Sequence, residues 1–256
     1  MVAAMRHESF CTAGTFAAPE MGVWAGWTAL ENSFADRQVF TNETGDIALL
    51  FCGECFADAT TRNRLGRGRG DGSGQGGNWL VGLYEEQGEK FFEKLNGLFS
   101  GLLIDRRRRK IFLFNDRYGL ERIYWHETPD AFYFASEAKA LLRVLPSLRE
   151  FDRQGVAQFA GTGCITGGGT LFREVRLLPG GAQWTFESGC VRRETYFSPA
   201  TWEALSELSE AEYEERFREA FRRKLALYFN HGSPIGIALT GGLDTRLIMA
   251  CHPHER

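Results

Sequence analysis

The sequence predicts an α+β fold of short strands and helices, followed by the first strand and helix of an α/β domain. Short apolar runs separated by turn residues extend from Val23 to Asp152 and recur in residues 170–197, which indicates strands. The α/β part is indicated by the apolar run Ile235–Leu239, because it leads directly into two glycines and a helical pattern. The predicted boundaries are 1–197 for the first domain, 198–209 for a linker and 210–256 for the beginning of a second domain.

The composition is that of an ordinary globular protein. The chain has 256 residues, 43% of them apolar and 25% charged, and a formal net charge of −3. This length suits roughly one to two domains, and the charge gives no overall attraction to nucleic acid or anionic membranes. No apolar run approaches the roughly 20 residues that cross a bilayer, and Met1–Phe10 lacks the apolar stretch of a signal peptide. We therefore expect a cytoplasmic protein with reduced cysteines and no nucleic-acid or membrane partner.

The strands of the first domain are predicted from apolar runs bounded by turn residues. They are Ile47–Phe51, Phe99–Ile104, Ile111–Phe114 and Phe132–Ala135. Gly53 is expected to form a turn after the first of these strands. Five consecutive cations within residues 105–110 would suggest a nucleic-acid patch in isolation. Between two apolar strands, they favour a solvated hairpin turn.

Three helices are predicted from their apolar faces and end signals. They are Asn78–Leu95, Ser136–Leu145 and Glu210–Phe229. Gly88 is expected to interrupt the first, Ser136 to cap the second, and His231–Pro234 to follow the third. Thr61–Gly77 is rich in glycine and arginine with few apolar residues, so it predicts a mobile loop.

The segment Leu239–Thr245 carries the clearest chemical signal. A hydroxyl residue and two glycines follow an apolar run and precede a helix that begins near Leu243. Glycines let backbone N–H groups approach an anion closely, and the helix N-terminus adds the positive end of its dipole. Asp244 would repel a phosphate unless Mg²⁺ bridged the two. A plain glycine turn is the alternative, but the added Asp244 and Thr245 favour a phosphate loop.

This segment resembles the Ser-Gly-Gly-x-Asp-Ser motif of the ATP pyrophosphatases, with threonine at both serine positions. The resemblance implies ATP and Mg²⁺ as cofactors, with Asp244 contacting the metal. The residues that it implies for pyrophosphate binding are Leu239, Thr240, Gly241, Gly242, Asp244 and Thr245.

Upstream segments are similar to the N-terminal domain of the glutamine-hydrolysing asparagine synthetases. Leu95–Asp105, Asn115–Tyr124 and Phe134–Leu141 match family motifs in order, and Leu178–Gly181 resembles the family's lead into its synthetase domain. The resemblance implies a four-layer αββα N-terminal-nucleophile hydrolase sandwich over the first domain. It also implies a small amino-acid or carboxylate substrate and allows a homodimer.

The residues that carry glutaminase chemistry in that family have diverged here. The family's N-terminal cysteine follows Met1, but this chain has Val2, and the rival nucleophile Cys11 would require cleavage before it. The family's Asn-Gly-Glu, whose Asn supplies an oxyanion donor, is matched by Cys52-Gly53-Glu54, and a thiol is a weak donor. These losses predict an inactive glutaminase domain.

Cys52-Gly-Glu-Cys55 also allows a metal or redox interpretation. One Cys-x-x-Cys without a second pair is a weak metal signal, and two packed thiols are favoured instead. Gly53 would have to turn the chain for both sulfurs to share one face.

Two functions from different classes follow. The first is an ATP-dependent ligase that adenylates a carboxylate and joins it to ammonia or an amine. The second is a non-catalytic fragment or partner-binding remnant of such an enzyme. We expect the residues that complete its nucleotide and carboxylate sites to lie beyond Arg256.

Overall fold

The computed structural model describes residues 1–31, 33–34, 39–66, 77–229 and 235–251. Its strands are β1 (Cys11–Ala18), β2 (Val23–Leu30), β3 (Phe40–Thr41), β4 (Ile47–Cys55), β5 (Gly97–Asp105), β6 (Lys110–Asn115), β7 (Tyr124–Glu127), β8 (Phe132–Ala135), β9 (Arg176–Leu177), β10 (Ala182–Glu187) and β11 (Cys190–Thr195). Its helices are α1 (Val2–Met5), α2 (Ala59–Gly66), α3 (Asn78–Gln87), α4 (Phe91–Lys94), α5 (Ala138–Val144), α6 (Arg153–Thr162), α7 (Glu210–Phe229) and α8 (Leu243–Cys251). Within these described ranges, every helix is too short or too polar to cross a membrane.

The chain divides into two compact units. The first comprises Met1–Cys55 and Thr60–Ser198, and the second comprises Phe56–Ala59 and Pro199–Arg256. All eleven described strands lie in the first unit.

A six-stranded antiparallel sheet, ordered β11-β10-β6-β5-β4-β3, forms the centre of the first unit. Because side chains alternate along a strand, its two faces carry different apolar sets. One face presents Phe112 and Phe114 to Phe92 of α4, with ring centroids 5.4 and 5.1 Å apart. The opposite face presents Leu102 and Leu113 to a second layer of strands.

The second strand layer consists of the β1–β2 hairpin and a three-stranded sheet ordered β8-β7-β9. Helices α1 and α5 cover the outer side of this layer, where Met5, Ala135 and Leu141 share one buried cluster. The first unit is therefore a four-layer αββα sandwich, which confirms the fold class predicted for the first domain.

The structure confirms most predicted elements of the first unit and corrects two local expectations. The predicted strands and the hairpin turn over residues 105–110 are present, and α3 ends at Gly88 as expected. Gly53 forms no turn, because β4 continues to Cys55 and pairs with β5 as far as Gly97. Ser136 does not cap α5: its N-cap is Glu137, and the Ser136 hydroxyl instead contacts the sulfur of Met5 at 3.5 Å.

The predicted loop over Thr61–Gly77 is wrong in its first part. Residues 61–66 belong to α2, where Leu65 is buried, and residues 67–76 lie outside the described residues. One buried leucine on an otherwise polar helix is a weak periodic signal, so the composition of the segment concealed it.

The second unit contains the predicted helix α7, but it lacks the predicted strand. Ile235–Leu239 is not paired with any described strand, and Ile235 and Leu239 are 45% and 69% exposed. A strand needs a neighbour for its backbone groups, and the described part of this unit contains no other extended segment that pairs with it. His231–Pro234, expected after α7, lies outside the described residues.

Candidate functional site

A cavity of about 210 Å³ lies in the first unit. Its walls come from Met1, from helix α1 and from strands β2, β4, β5, β6 and β8, so it sits where the two strand layers and α1 meet. Cys52 and Ser100, which are directly opposite each other in the β4–β5 pair, contribute polar groups to its wall. The candidate site is therefore built on the central strands of the sandwich.

Cys52 is the cavity thiol, and its surroundings keep it protonated. Its Sγ lies 4.0 Å from Oε2 of Glu121. Although Cys52 is partly open to solvent, desolvation of the sulfur and then the Glu121 carboxylate raise its pKa to about 11. Since the thiolate is the reactive form of cysteine, this environment opposes a nucleophilic role for Cys52.

Glu121 is held beside Cys52 by a tight loop built around Asp116. The Asp116 side chain is fully buried and accepts hydrogen bonds from the backbone N–H groups of Tyr118, Leu120 and Glu121, at 3.0, 3.2 and 2.9 Å. Burial and then the Asp116 charge raise the pKa of Glu121. The loop therefore places a carboxylate beside Cys52 where its negative charge is unfavourable.

The other predicted residues of the glutamine pocket are not brought together. Cys11 begins β1 opposite Leu30, and its backbone N–H donates to the carbonyl of Glu8 at 3.2 Å. It is not among the residues that line the cavity, whereas Val2 is. Gly53 has a φ of 91°, and a Cβ there would lie 2.1 Å from the carbonyl oxygen of Leu98.

Cys52 and Cys55 lie on opposite sides of the sheet. Cys55 is fully buried, whereas Cys52 is partly exposed at the cavity. The prediction of two packed thiols is therefore correct for Cys55 alone. No group of three or more potential metal ligands occurs among the described residues.

Sequence reasoning missed Asp116, Glu121 and Ser100 as members of this site. The first two lie within Asn115–Tyr124, which served only to recognise the family. An aspartate followed three residues later by a glycine with positive φ is typical of a side-chain-bonded loop, and Gly119 has a φ of 66°. The spacing of Asp116 and Gly119 was therefore a signal for the loop in the sequence. No sequence pattern marked Ser100 as a member of the site.

The predicted phosphate loop lies in the second unit and brings three of its residues together. The hydroxyl oxygens of Thr240 and Thr245 are 3.4 Å apart, and the backbone N–H of Gly242 donates to Thr240 Oγ1 at 3.3 Å. A Cβ at Gly241 would meet no atom within 4 Å, so this backbone is open to an approaching group. Asp244 lies in the first turn of α8, and Leu239 is exposed. Paired hydroxyls, the open backbone at Gly241 and a helix N-terminus suit an anion.

Comparison with known proteins assigns the first unit to a family. Residues 2–197 match the family model of the glutamine amidotransferase domain. Curated relatives are glutamine-hydrolysing asparagine synthetases: number 1 of Bacillus subtilis is 26% identical over 67% of this chain, and enzyme B of Escherichia coli is 22% identical over 96%. The chain spans only 27% and 39% of their lengths.

Among solved structures, glutamine phosphoribosylpyrophosphate amidotransferase from Bacillus subtilis, complexed with ADP and GMP, has a TM-score of 0.42. It shares 15% sequence identity, and the match covers 67% of this chain and 34% of that one. The family model covers the whole described sandwich, and the curated relatives share one name. The chain therefore belongs to the glutamine amidotransferase domain family.

Proposed function

We propose that this chain is the amidotransferase-like part of an asparagine synthetase-type, ATP-dependent amide-forming ligase, and that its glutaminase domain does not hydrolyse glutamine. One observation supports the proposal that the domain does not hydrolyse glutamine. Val2 and Met5 of α1 line the cavity, whereas Cys11 does not. Among the described residues, the cysteine that lines this space is Cys52 of β4, which has no free α-amino group, so the nucleophile of an N-terminal-nucleophile glutaminase is missing there.

The wall of the cavity supports the same proposal. An oxyanion needs preorganised hydrogen-bond donors, and removing one such donor typically costs about 10²–10³ in kcat. Cys52 offers a weak S–H donor here, and the Glu121 carboxylate 4.0 Å away disfavours a second negative charge. The site is therefore electrostatically unsuited to an oxyanion.

A glutaminase assay tests this part. The purified protein should release no glutamate from glutamine above a buffer blank, and Cys11→Ala should behave in the same way. Release of glutamate that Cys11→Ala abolishes would contradict the proposal and assign the nucleophile to Cys11.

The ligase part of the proposal rests on the loop from Thr240 to Thr245. The two hydroxyls, Gly241 and the N-terminus of α8 would hold the phosphates of ATP, and Asp244 would contact their Mg²⁺. ATP supplies the activation of a carboxylate, and the acceptor would be ammonia or the amine of a small substrate. The substrate itself is a small amino acid or carboxylate in this proposal.

Two matched glycine substitutions test the loop. A Cβ added at Gly241 or at Gly236 would meet no other atom of the protein, and neither residue has a positive φ. Valine should therefore fit at both positions without disturbing the fold. Only Gly241→Val would block a phosphate. Calorimetry with ATP and Mg²⁺ should show at least about tenfold weaker binding for Gly241→Val, a difference of about 1.4 kcal/mol, and unchanged binding for Gly236→Val.

A non-catalytic, partner-binding role is the second candidate. The exposure of Ile235 and Leu239 favours it, because a nucleotide loop normally follows a buried strand. This alternative would be supported if calorimetry showed no ATP binding by the unmodified chain and none by either glycine variant.

A further inference from the structure

Helix α7 of the second unit carries an aromatic stripe that the described part of the chain leaves open. Tyr213 and Phe217 are 60% and 51% exposed, and none of the residues of α7, all of which are described, is buried. The ring of Phe217 stacks on the rings of Tyr213 and Phe221, with centroids 6.2 and 5.8 Å apart. Side chains four residues apart are neighbours on a helix surface. The three rings therefore form one continuous apolar surface along α7.

The charges of α7 are divided between its two halves. Residues 210–219 contain five glutamates and two arginines, a net charge of −3, whereas residues 220–229 contain two arginines and one lysine, a net charge of +3. If two copies of α7 pair side by side in opposite directions, the acidic half of each helix meets the basic half of the other. Pairing in the same direction would place like charges together, which is unfavourable. The charge pattern therefore fits a second copy of the same helix in antiparallel orientation.

The aromatic stripe sets the register of such a pair. With Phe217 at a twofold axis, each residue faces the one that lies equally far beyond Phe217 in the second copy. Tyr213 then faces Phe221 of the second copy, and Glu210 faces its Lys224. Glu210 and Lys224 lie on the same side of α7 as Phe217, because residues seven positions apart are separated by nearly two full helical turns. A surface of this kind is complementary to itself, as a twofold interface requires.

The dipole of α7 explains only part of this charge pattern. A helix dipole favours acidic residues in the first turn and basic residues in the last, which accounts for Glu210. Lys224 lies five residues before the end of the helix at Phe229, beyond its last turn, and makes no ion pair with any other described residue. Arg218, in contrast, pairs with Glu215 of its own helix at 3.0 Å. The pairing with a second copy gives Lys224 a partner on the stripe where it lies.

We propose that α7 is a self-association surface through which two copies of this chain form an antiparallel dimer. Phe217 packs against its counterpart at the axis, Tyr213 packs against Phe221, and Glu210 forms an ion pair with Lys224 at both ends. The contact spans about 21 Å of each helix, so it belongs to the small interfaces that form weak, transient complexes. The proposal goes beyond the ligase function and requires neither ATP nor glutamine, so either proposal can fail without the other.

Sedimentation velocity without nucleotide tests the dimer. Over chain concentrations from about 1 μM to about 1 mM, which cover weak interfaces, the average mass should rise from one chain towards two. Phe217→Ser should remain a monomer over the same range. Leu205→Ser is the matched control, because Leu205 is a 70% exposed apolar residue of the same unit outside α7, and its loss should leave the dimer unchanged. A monomer at every concentration of the unmodified chain would overturn the proposal and leave the stripe to another occupant.

Charge reversal tests the antiparallel arrangement. Glu210→Lys or Lys224→Glu alone places like charges opposite each other at both ends and should weaken the dimer at least about fivefold. A parallel pair already opposes like charges, so neither variant would weaken it. A mixture of the two variants should form a heterodimer tighter than either homodimer, because every lysine then faces a glutamate. Glu219→Lys makes the same charge change about 200° around the helix from Phe217 and should have no effect.

Three results with these variants would each overturn the proposal. They are dimerisation undiminished in Phe217→Ser, equal weakening by Glu210→Lys and Glu219→Lys, and a mixture no tighter than its two components. Circular dichroism shows whether each variant keeps the helix content of the unmodified chain. If Phe217→Ser loses it, the concentration series of the unmodified chain and the mixture of charge variants decide.

Discussion

Replacing Glu121 with glutamine should make Cys52 more reactive. The Cys52 sulfur lies 4.0 Å from a carboxylate oxygen of Glu121, and that charge is the second cause, after desolvation, of the raised Cys52 pKa of about 11. Glutamine keeps the size of the side chain and removes its charge. The thiolate should therefore form at lower pH in Glu121→Gln.

The separation of the two groups sets the size of the effect. Two unit charges 4 Å apart interact by about 1 kcal/mol in bulk water and by about 4 kcal/mol at an effective dielectric constant of about 20. Cys52 is partly exposed, so the value for water is a lower bound, and it corresponds to about fivefold more thiolate at a fixed pH. A thiolate of lower pKa is also less nucleophilic, with a Brønsted coefficient of about 0.4–0.5. This loss cancels about half of the logarithm of the fivefold gain in thiolate. Alkylation of Cys52 should therefore accelerate at least about two- to threefold.

The assay is peptide-resolved alkylation of Cys52 by iodoacetamide between about pH 8 and 9.5, where a thiol of raised pKa is mostly protonated. Glu54→Gln is the matched control, because Glu54 lies two residues along β4 but does not contribute to the raised pKa of Cys52. An unchanged rate in Glu121→Gln, or an equal acceleration in Glu54→Gln, would refute the electrostatic reasoning.

Three further predictions concern stability, each measured by urea denaturation. Burial and Asp116 raise the pKa of Glu121, so its ionisation costs folding free energy as pH rises through that pKa; Glu121→Gln should raise the free energy of unfolding at pH 7 more than at pH 4. The pKa of Glu89 is shifted in the opposite direction, because the hydrogen bond from Lys110 lowers it. Glu89→Gln should therefore lower the free energy of unfolding by up to about 1 kcal/mol at pH 7, and by progressively less as pH falls below 4.5. Phe114→Ala should cost about 3–5 kcal/mol at any pH, since its fully buried ring is removed.

Local patterns were sufficient to predict the strands of the first unit. In β5 and β6, the apolar run is long enough to cover both faces of a strand, and the cations between them allow only a solvated turn. The partner of β5 is then the next strand along the chain, and the structure shows that register, from Asp105 opposite Lys110 to Ser100 opposite Asn115. Short-range pairing of this kind depends on residues that are neighbours in sequence.

The candidate site was harder to predict because its members come from distant parts of the chain. Val2 lies so close to β2 that a Cβ on Gly26 would be 2.3 Å from its methyl group. Neither residue is polar, and nothing in their types marks a site. The sequence identified Cys52 through the family motif, but it could not show that α1 packs beside the same cavity.

The strand expected over Ile235–Leu239 was wrong for a related reason. An apolar run specifies a preference for burial, whereas a parallel strand also needs partners that arrive through long crossover connections. Without such partners, the exposed Leu239 forgoes most of the roughly 1.5–3 kcal/mol that burial of a leucine contributes. The loop that follows then lacks a fixed support, and the N–H of Gly242 is bonded to Thr240 Oγ1 rather than directed outward. Phosphate binding would have to break that bond and order the backbone, so ATP affinity should rise when partner strands support Ile235–Leu239.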